Sequence, residues 1–182
     1  HKIKIMSKIL VIDDQQDNLS TIRAVLKNNL PTCELLTSLS GYEGIEIAKK
    51  EQPDTILLDI IMPKMDGYEV CKKLKEDGLT KHIPIILITA IKTDSESRAM
   101  GLNMGADAFL WKPIDALELV AQINVMLRIK KAEDKIRREK EHLEEKNQEL
   151  ERYALLFEGR EFRIKELRDK IKELETKLQN LS

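Results

Sequence analysis

Three carboxylates, a hydroxyl and an amine stand where the apolar runs of this sequence end. Asp13 and Asp14 close the first run, Asp59 and Thr89 close two later runs, and Lys112 follows the last one. If these runs are parallel strands, their carboxyl ends meet at one edge of a sheet, where open α/β sheets carry their working sites. We therefore expect these five side chains to form one polar site.

Such a site suits phosphoryl chemistry on an aspartate. Clustered carboxylates repel one another, and a bound hard cation relieves that repulsion. Mg²⁺ fits because it prefers oxygen ligands and commonly bridges carboxylates to a phosphoryl group. An ionised aspartate beside the ion can attack phosphorus and form an acyl phosphate, to which Lys112 would supply a positive charge and Thr89 a hydrogen bond.

Each of these residues also has an ordinary structural explanation. Asp13 and Asp59 are of a type that caps helices. Thr89 fits an ordinary strand, and Lys112 fits an exposed surface. Taken singly, each explanation is as good as the functional one, but the occurrence of the whole set at successive run ends favours the site.

Short β-rich runs alternate with helical patterns in the first two thirds of the chain, which is typical of a parallel sheet with helices on both faces. The predicted strands are Lys8–Asp13, Glu34–Thr37, Thr55–Asp59, Ile85–Thr89 and Ala108–Trp111. The predicted helices are Asp17–Asn29, Tyr42–Glu51, Gly67–Asp77, Asp94–Met104 and a final helix that begins near Asp115. The expected fold class is α/β, with a doubly wound, five-stranded parallel sheet.

From Ile129 onward the sequence follows a seven-residue repeat typical of a coiled coil. The a positions are apolar throughout: Ile129, Ile136, Leu143, Leu150, Phe157, Ile164, Ile171 and Leu178. The d positions are Ala132, Glu139, Lys146, Tyr153, Arg160, Leu167, Leu174 and Leu181. Isoleucine at a and leucine at d in the last heptads favour a parallel two-stranded coiled coil, whereas the charged d positions weaken its middle.

These patterns divide the chain into a globular domain over residues 7–127 and a coiled-coil helix over residues 128–182, which continues the last helix of that domain. A parallel homodimer through residues 129–181 is the expected assembly. The alternative for the tail is a solitary solvated helix. Gly159 is a candidate joint because glycine weakens a helix by up to about 1 kcal/mol relative to alanine.

Composition argues against several classes of function. A net charge of −1, from 31 basic and 32 acidic residues, gives no field that would attract nucleic acid or an anionic membrane. The longest apolar stretch, Ile83–Ile91, is too short to span a bilayer. Cys33 and Cys71 form neither a disulfide framework nor a metal-ligand pattern, so a reducing cytoplasm is the expected location.

At its acidic run ends the chain resembles the receiver domains of bacterial and archaeal response regulators. The matching segments are IDD at 12–14, LLDIIMPKMDG at 57–67, ITA at 88–90 and GADAFLWKP at 105–113. They occur in the family's order and spacing across residues 8–127, and the full set is far more specific than any one of its members. The resemblance implies a flavodoxin-like sheet with strand order 2-1-3-4-5 and a function in phosphorelay signal transduction.

The resemblance also implies roles for single residues. Asp59 would be phosphorylated by a partner histidine kinase or phosphotransfer protein. Mg²⁺ would be held by Asp13, Asp14, Asp59 and the backbone carbonyl of Ile61. A domain of this kind is not an enzyme that turns over a substrate, but it promotes its own phosphorylation and dephosphorylation.

Further implied roles concern the response to phosphorylation. Lys112 would pair with the phosphoryl group, Thr89 would move toward it, and Phe109 would turn inward as the switch. Ile61 and Ile91 stand two residues beyond Asp59 and Thr89, on the path of an attacking water. Because neither isoleucine can orient water by hydrogen bonding and both can shield the acyl phosphate, we predict slow autodephosphorylation.

Two other functional classes stay open at this point. Phosphatases of the haloacid-dehalogenase type also form an aspartyl phosphate, but they carry a second aspartate two residues after the nucleophile, where this chain has Gln15. A dimeric adaptor that is never phosphorylated is the third class. For the output, either the coiled coil itself signals to a downstream partner, or it transmits to an output domain of a longer protein.

Overall fold

The computed structural model describes residues 7–90, 99 and 101–179, the last three without their side chains. Its strands are β1 (Lys8–Ile12), β2 (Glu34–Ser38), β3 (Thr55–Asp59), β4 (Ile85–Thr89) and β5 (Ala108–Trp111). They form one parallel sheet in the order β2-β1-β3-β4-β5. The predicted fold class and strand order are therefore confirmed, and the strand ends differ from the predicted ones by at most one residue.

The helices with complete bounds are α1 (Gln16–Asn29), α2 (Gly41–Glu51), α3 (Gly67–Glu76) and α4 (Ala116–Gln179). α3 begins at the predicted residue, and the other three begin one residue away from the predicted start. Side-chain capping explains where α3 and α4 begin. The Asp66 side chain accepts a hydrogen bond from the Glu69 backbone N–H at 2.8 Å, and that of Asp115 accepts one from the Glu118 N–H at 2.9 Å. Each aspartate thus satisfies a donor of the first helical turn from just outside the helix.

The predicted helix Asp94–Met104 lies largely outside the described residues, although Ala99 and residues 101–103 are helical. The long helix α4 confirms the predicted long C-terminal helix.

The core lies on both faces of the sheet because successive strand residues point to opposite sides. In β1, Leu10 and Ile12 pack on the face covered by α2 and α3. Ile9 and Val11 pack on the other face, together with α1 and the first turns of α4. Both faces of the strand are therefore covered, which explains the continuous apolar runs in the sequence.

The chain separates into two compact units, residues 1–133 and residues 134–182. In the second unit every residue from 135 to 176 is exposed, including the apolar a positions that the structure describes there. Leu178 and Leu181, the last predicted a and d residues, lie outside the described side chains. Among the described residues, no helix combines the length and the apolar character that a membrane span requires.

Candidate functional site

An amine lies between two buried carboxylates at the carboxyl edge of the sheet. Nζ of Lys112 is 2.9 Å from Oδ1 of Asp59 and 3.0 Å from Oδ2 of Asp13. Asp13 is 1% exposed and Asp59 is 2% exposed, so both carboxylates have lost most of their water. Three residues that are far apart in the sequence thus meet in one ion-pair cluster, as the strand-end argument predicted.

Backbone hydrogen bonds of the sheet hold these side chains in place. The N–H of Asp13 donates to the Ser38 carbonyl at 3.1 Å, so β2 fixes the end of β1. The N–H of Lys112 donates to the Thr89 carbonyl at 2.8 Å, so β4 fixes the residue that follows β5. Asp59 is itself the last residue of the central strand β3, and the register of the strands therefore places the three side chains at one edge of the sheet.

The acidic residues have the composition of a cation site. One carboxylate oxygen from each of Asp13, Asp14 and Asp59 lies within 4.8 Å of the other two. Oδ1 of Asp14 is buried and accepts no hydrogen bond from any described residue. Buried polar atoms normally have a partner, and a hard cation with oxygen ligands would supply one here. The three carboxylates therefore fit Mg²⁺ by number, charge and ligand type.

The electrostatics of the cluster are unbalanced toward negative charge. Burial raises the pKa of Asp59, Lys112 opposes that rise, and the charges of Asp13 and Asp14 add to it. Burial alone would lower the pKa of Lys112, but its hydrogen bonds to Asp59 and Asp13 outweigh burial and leave that pKa above its ordinary value. One ammonium thus faces three acids, which leaves the site attractive to a further positive charge.

A comparison with protein families matches residues 9–124 to the response regulator receiver domain. The chain belongs to this family. The matched segment includes all five residues of the predicted polar site and every strand of the sheet except Lys8, the first residue of β1. The family assignment does not favour the haloacid-dehalogenase alternative, from which the sequence also departs at Gln15.

Curated relatives resemble the receiver domain at a level that supports this assignment. The response regulator PleD of Caulobacter vibrioides is 41% identical over 131 residues, which are 72% of this chain and 28% of PleD. The response regulator MprA of Mycobacterium ulcerans is 39% identical over 127 residues, 70% of this chain and 53% of MprA. The chain therefore spans between about a quarter and a half of the length of these relatives.

Solved structures of response regulators share the fold. A response regulator from Chloroflexus aurantiacus has a TM-score of 0.62 at 30% identity and covers 68% of this chain and 98% of its own. The chemotaxis protein CheY4 of Vibrio cholerae has a TM-score of 0.62 at 29% identity and covers 67% of this chain and 99% of its own. Each match covers nearly the whole solved chain but leaves about a third of this chain unmatched.

Two of the remaining predicted site residues, Thr89 and Ile61, differ in their exposure to solvent. Thr89 is fully buried at the end of β4, beside Trp111 of β5 in the sheet. Ile61 is 48% exposed, two residues after Asp59. Ile91 lies outside the described residues, so its predicted place on the water path is untested.

Phe109, the predicted switch residue, is half-buried and packs against the core on the α2 and α3 face. Its ring occupies space that only a glycine leaves open. A Cβ atom built on Gly101 would lie 2.3 Å from Cζ of Phe109 and 3.1 Å from Cε1 of Tyr68. The Phe109 ring therefore packs closely against Gly101 in this conformation.

One residue that contacts the cluster directly was not predicted from the sequence. Asn18, in the first turn of α1, donates from Nδ2 to Oδ1 of Asp13 at 3.0 Å and to Oδ2 at 2.9 Å. An asparagine near a helix start is a common capping-region residue, so its type alone carried no signal. Its spacing of five residues from Asp13, just across the turn into α1, was the available clue.

A second missed feature is the close approach of α3 to β3. A Cβ atom on Gly67 would lie 2.3 Å from the carbonyl oxygen of Asp59 and 2.7 Å from Cα of Ile60. The N–H of Gly67 donates to the Ile60 carbonyl at 2.8 Å. The sequence predicted that a helix begins at Gly67, but it did not predict that this glycine touches the backbone of the central aspartate.

Proposed function

We propose that this chain is a phosphorelay component that accepts a phosphoryl group on Asp59 from a histidine kinase or phosphotransfer protein. The observation that carries the proposal is the contact of 2.9 Å between Asp59 and Lys112 in a buried acidic cluster of a receiver domain. A lone buried aspartate would be an ordinary structural feature. An aspartate grouped with two more acids and one amine is suited to acyl phosphate chemistry.

In the proposed reaction, a carboxylate oxygen of Asp59 attacks the phosphorus of a phosphohistidine on the partner. The new O–P bond forms as the P–N bond breaks, and the imidazole leaves with the electron pair of that bond. Mg²⁺ held by Asp13, Asp14, Asp59 and the Ile61 carbonyl would neutralise charge on the phosphoryl oxygens. Lys112 remains beside Asp59 as a second positive charge, and the Thr89 hydroxyl donates a hydrogen bond to the phosphoryl group.

A phosphoryl-transfer assay with a small phosphoramidate donor tests this function. We expect one acid-stable, hydroxylamine-sensitive phosphoryl group per chain, lost in Asp59→Asn and on removal of Mg²⁺ by a chelator. Asp66→Asn serves as a matched control because that exposed aspartate only caps α3. Phosphorylation that persists in Asp59→Asn would contradict the proposal, and repeated turnover of small phosphomonoesters would support a hydrolase instead.

The lifetime of the phosphorylated state is a separate part of the proposal. Ile61 offers no polar group to an attacking water, and Ile91 has the same chemistry. We therefore expect slow loss of the phosphoryl group in the wild-type protein. An Ile61→Asn, Ile91→Glu double variant should lose it faster, and equal or slower decay in that variant would contradict the expected shielding.

We also propose that residues 128–182 form a parallel coiled-coil dimer and transmit the state of Asp59. Ile136, Leu143, Leu150 and Phe157 are each 62% to 65% exposed, although all occupy the a position. Such a row of aliphatic and aromatic side chains gains free energy when a second copy buries it. A second copy is the occupant that fits, because the same heptad phase runs from the first unit to the end of the described helix.

Light scattering and cysteine crosslinking along the a positions test the assembly, with and without beryllofluoride as a mimic of the phosphoryl group. We expect a dimer in which each a residue crosslinks to its equivalent in the second copy, and a change in crosslinking yield when beryllofluoride binds. A monomer in both states, or crosslinks only between opposite ends of the helix, would contradict the parallel dimer.

A further inference from the structure

The two adjacent acids of the site, Asp13 and Asp14, differ in the hydrogen bonds that their carboxylate oxygens accept. Oδ1 of Asp13 accepts from the Gln15 N–H at 2.9 Å and from Asn18 at 3.0 Å. Oδ2 of Asp13 accepts from Asn18 at 2.9 Å and from Lys112 at 3.0 Å. Oδ1 of Asp14, by contrast, accepts from no described residue. Asp13 is thus fixed by the protein, whereas Asp14 keeps a free coordination position.

One side chain provides two of the four hydrogen bonds that fix Asp13. The Asn18 amide reaches both carboxylate oxygens at once, and it is the contact that restrains rotation of the carboxylate about its own axis. The Gln15 N–H and the Lys112 ammonium each reach a single oxygen. Lys112 must also serve Asp59, so it is the less exclusive partner of Asp13.

The position of Asn18 in α1 makes this contact firm. Its backbone N–H donates to the Gln15 carbonyl at 3.1 Å, within the first turn of the helix. The next residue, Leu19, is 2% exposed in the core beneath α1, which anchors that turn. The amide therefore approaches Asp13 from a rigid element, as effective supports of metal sites do.

We propose that Asn18 is a positioning residue, which holds the Asp13 carboxylate in the orientation required for a divalent cation and for Lys112 to bridge Asp13 and Asp59. The inference rests on the proposed function of the acidic cluster as a Mg²⁺ site. Asn18 acts through Asp13 and does not contact the phosphoryl group. Loss of a hydrogen-bonded support of a metal ligand typically costs 10-fold to 100-fold in metal affinity.

The test measures Mg²⁺ binding to the full chain by isothermal titration calorimetry. For Asn18→Ala we expect the Mg²⁺ dissociation constant to rise by about tenfold. Alanine is a better helix former than asparagine, so α1 itself should not be weakened. The matched control is Asn29→Ala, at the other end of α1, where the side-chain amide donates to the Val25 carbonyl at 2.8 Å. Asn18→Ser, which keeps one donor, should recover part of the affinity.

The outcomes separate this inference from the proposed function. Wild-type protein that binds no Mg²⁺ would overturn both. Wild-type binding with an unchanged or tighter dissociation constant in Asn18→Ala would overturn only the role of Asn18, because a freed Asp13 would then serve the cation equally well. Equal losses of Mg²⁺ affinity in Asn18→Ala and Asn29→Ala would overturn the role of Asn18, because a change in the stability of α1 would then explain both. If Asn18→Ala does not fold, the comparison between Asn18→Ser and Asn29→Ala decides, with the same expected direction.

Discussion

The two units of this chain keep their apolar side chains in opposite places. In the receiver unit, every residue of β3 from Thr55 to Asp59 is buried. In the helix from residue 135 to 176 every residue is exposed, and Ile171 and Leu174 are 55% and 53% exposed. The receiver unit therefore stabilises itself through its own core, whereas the helix has an exposed apolar face, which the proposed second copy would cover.

The largest expected effect of this difference is on core truncation. Leu57→Ala, in the fully buried strand β3, should lower the free energy of unfolding by about 2–5 kcal/mol because it leaves a cavity. Leu155→Ala is the matched change in the helix, where the side chain is 70% exposed outside the a and d positions, and it should shift stability by no more than about 0.5 kcal/mol. Urea unfolding of both variants provides the measurement, and similar losses would contradict the contrast.

Glycine positions sharpen the same comparison. Gly67→Ala should destabilise the receiver unit by about 1–3 kcal/mol, because the new Cβ meets the backbone of Asp59 and Ile60. Gly159→Ala should stabilise the helix by about 0.5–1 kcal/mol, because no atom lies within 4 Å of the new Cβ. Thermal melts followed by circular dichroism measure both, and a change of the same sign at the two sites would contradict this reading.

A charged d position tests whether a second copy covers the helix. Arg160→Leu should tighten dimerisation about tenfold or more. The reason is that the proposed dimer would bury an apolar leucine side chain at this d position in place of a charged one. Arg152→Leu, at the exposed c position, is the control and should leave the dissociation constant unchanged. Sedimentation equilibrium gives both constants. An equal effect of the two substitutions would indicate nonspecific association rather than a heptad seam.

The smallest expected effect concerns thiol reactivity within the receiver unit. Burial raises the pKa of Cys71 to about 11, so almost none of it is thiolate at pH 8. Cys33 is only half-buried, although burial and the charge of Asp54 also raise its pKa. Mass spectrometry after brief alkylation at pH 8 should find label on Cys33 and none on Cys71. Label on Cys71 in the folded protein would show that the core opens.

Much of the fold was predictable because the residue types change from apolar to polar where a buried strand ends. The runs TILLD and IILIT gave β3 and β4 with their observed bounds, since the change from apolar to polar marks the edge of the sheet. The same logic brought Asp13, Asp59 and Lys112 together. Charge and polarity at the end of a buried run are rare enough to be informative.

What could not be predicted depends on side-chain direction and on close backbone approach. Asn18 is one of several polar residues around the start of α1, and only its orientation distinguishes it from Gln16 or Asp17. Gly67 resembles any glycine in a turn until the distance to the Asp59 carbonyl is known. The pairing of the helix is a third case, because a heptad pattern states which face is apolar but not which chain covers it.

The uniform exposure of the helix from residue 135 to residue 176 has a consequence for protein engineering. A fusion that exchanges this segment for another heptad sequence need not redesign any buried packing there, but it has to respect rotational phase. Deleting seven residues keeps the apolar stripe on nearly the same side, whereas deleting one turns everything downstream by about 100°. Designers of sensors built on this scaffold can therefore tune the orientation of an attached reporter in discrete angular steps, simply by counting residues.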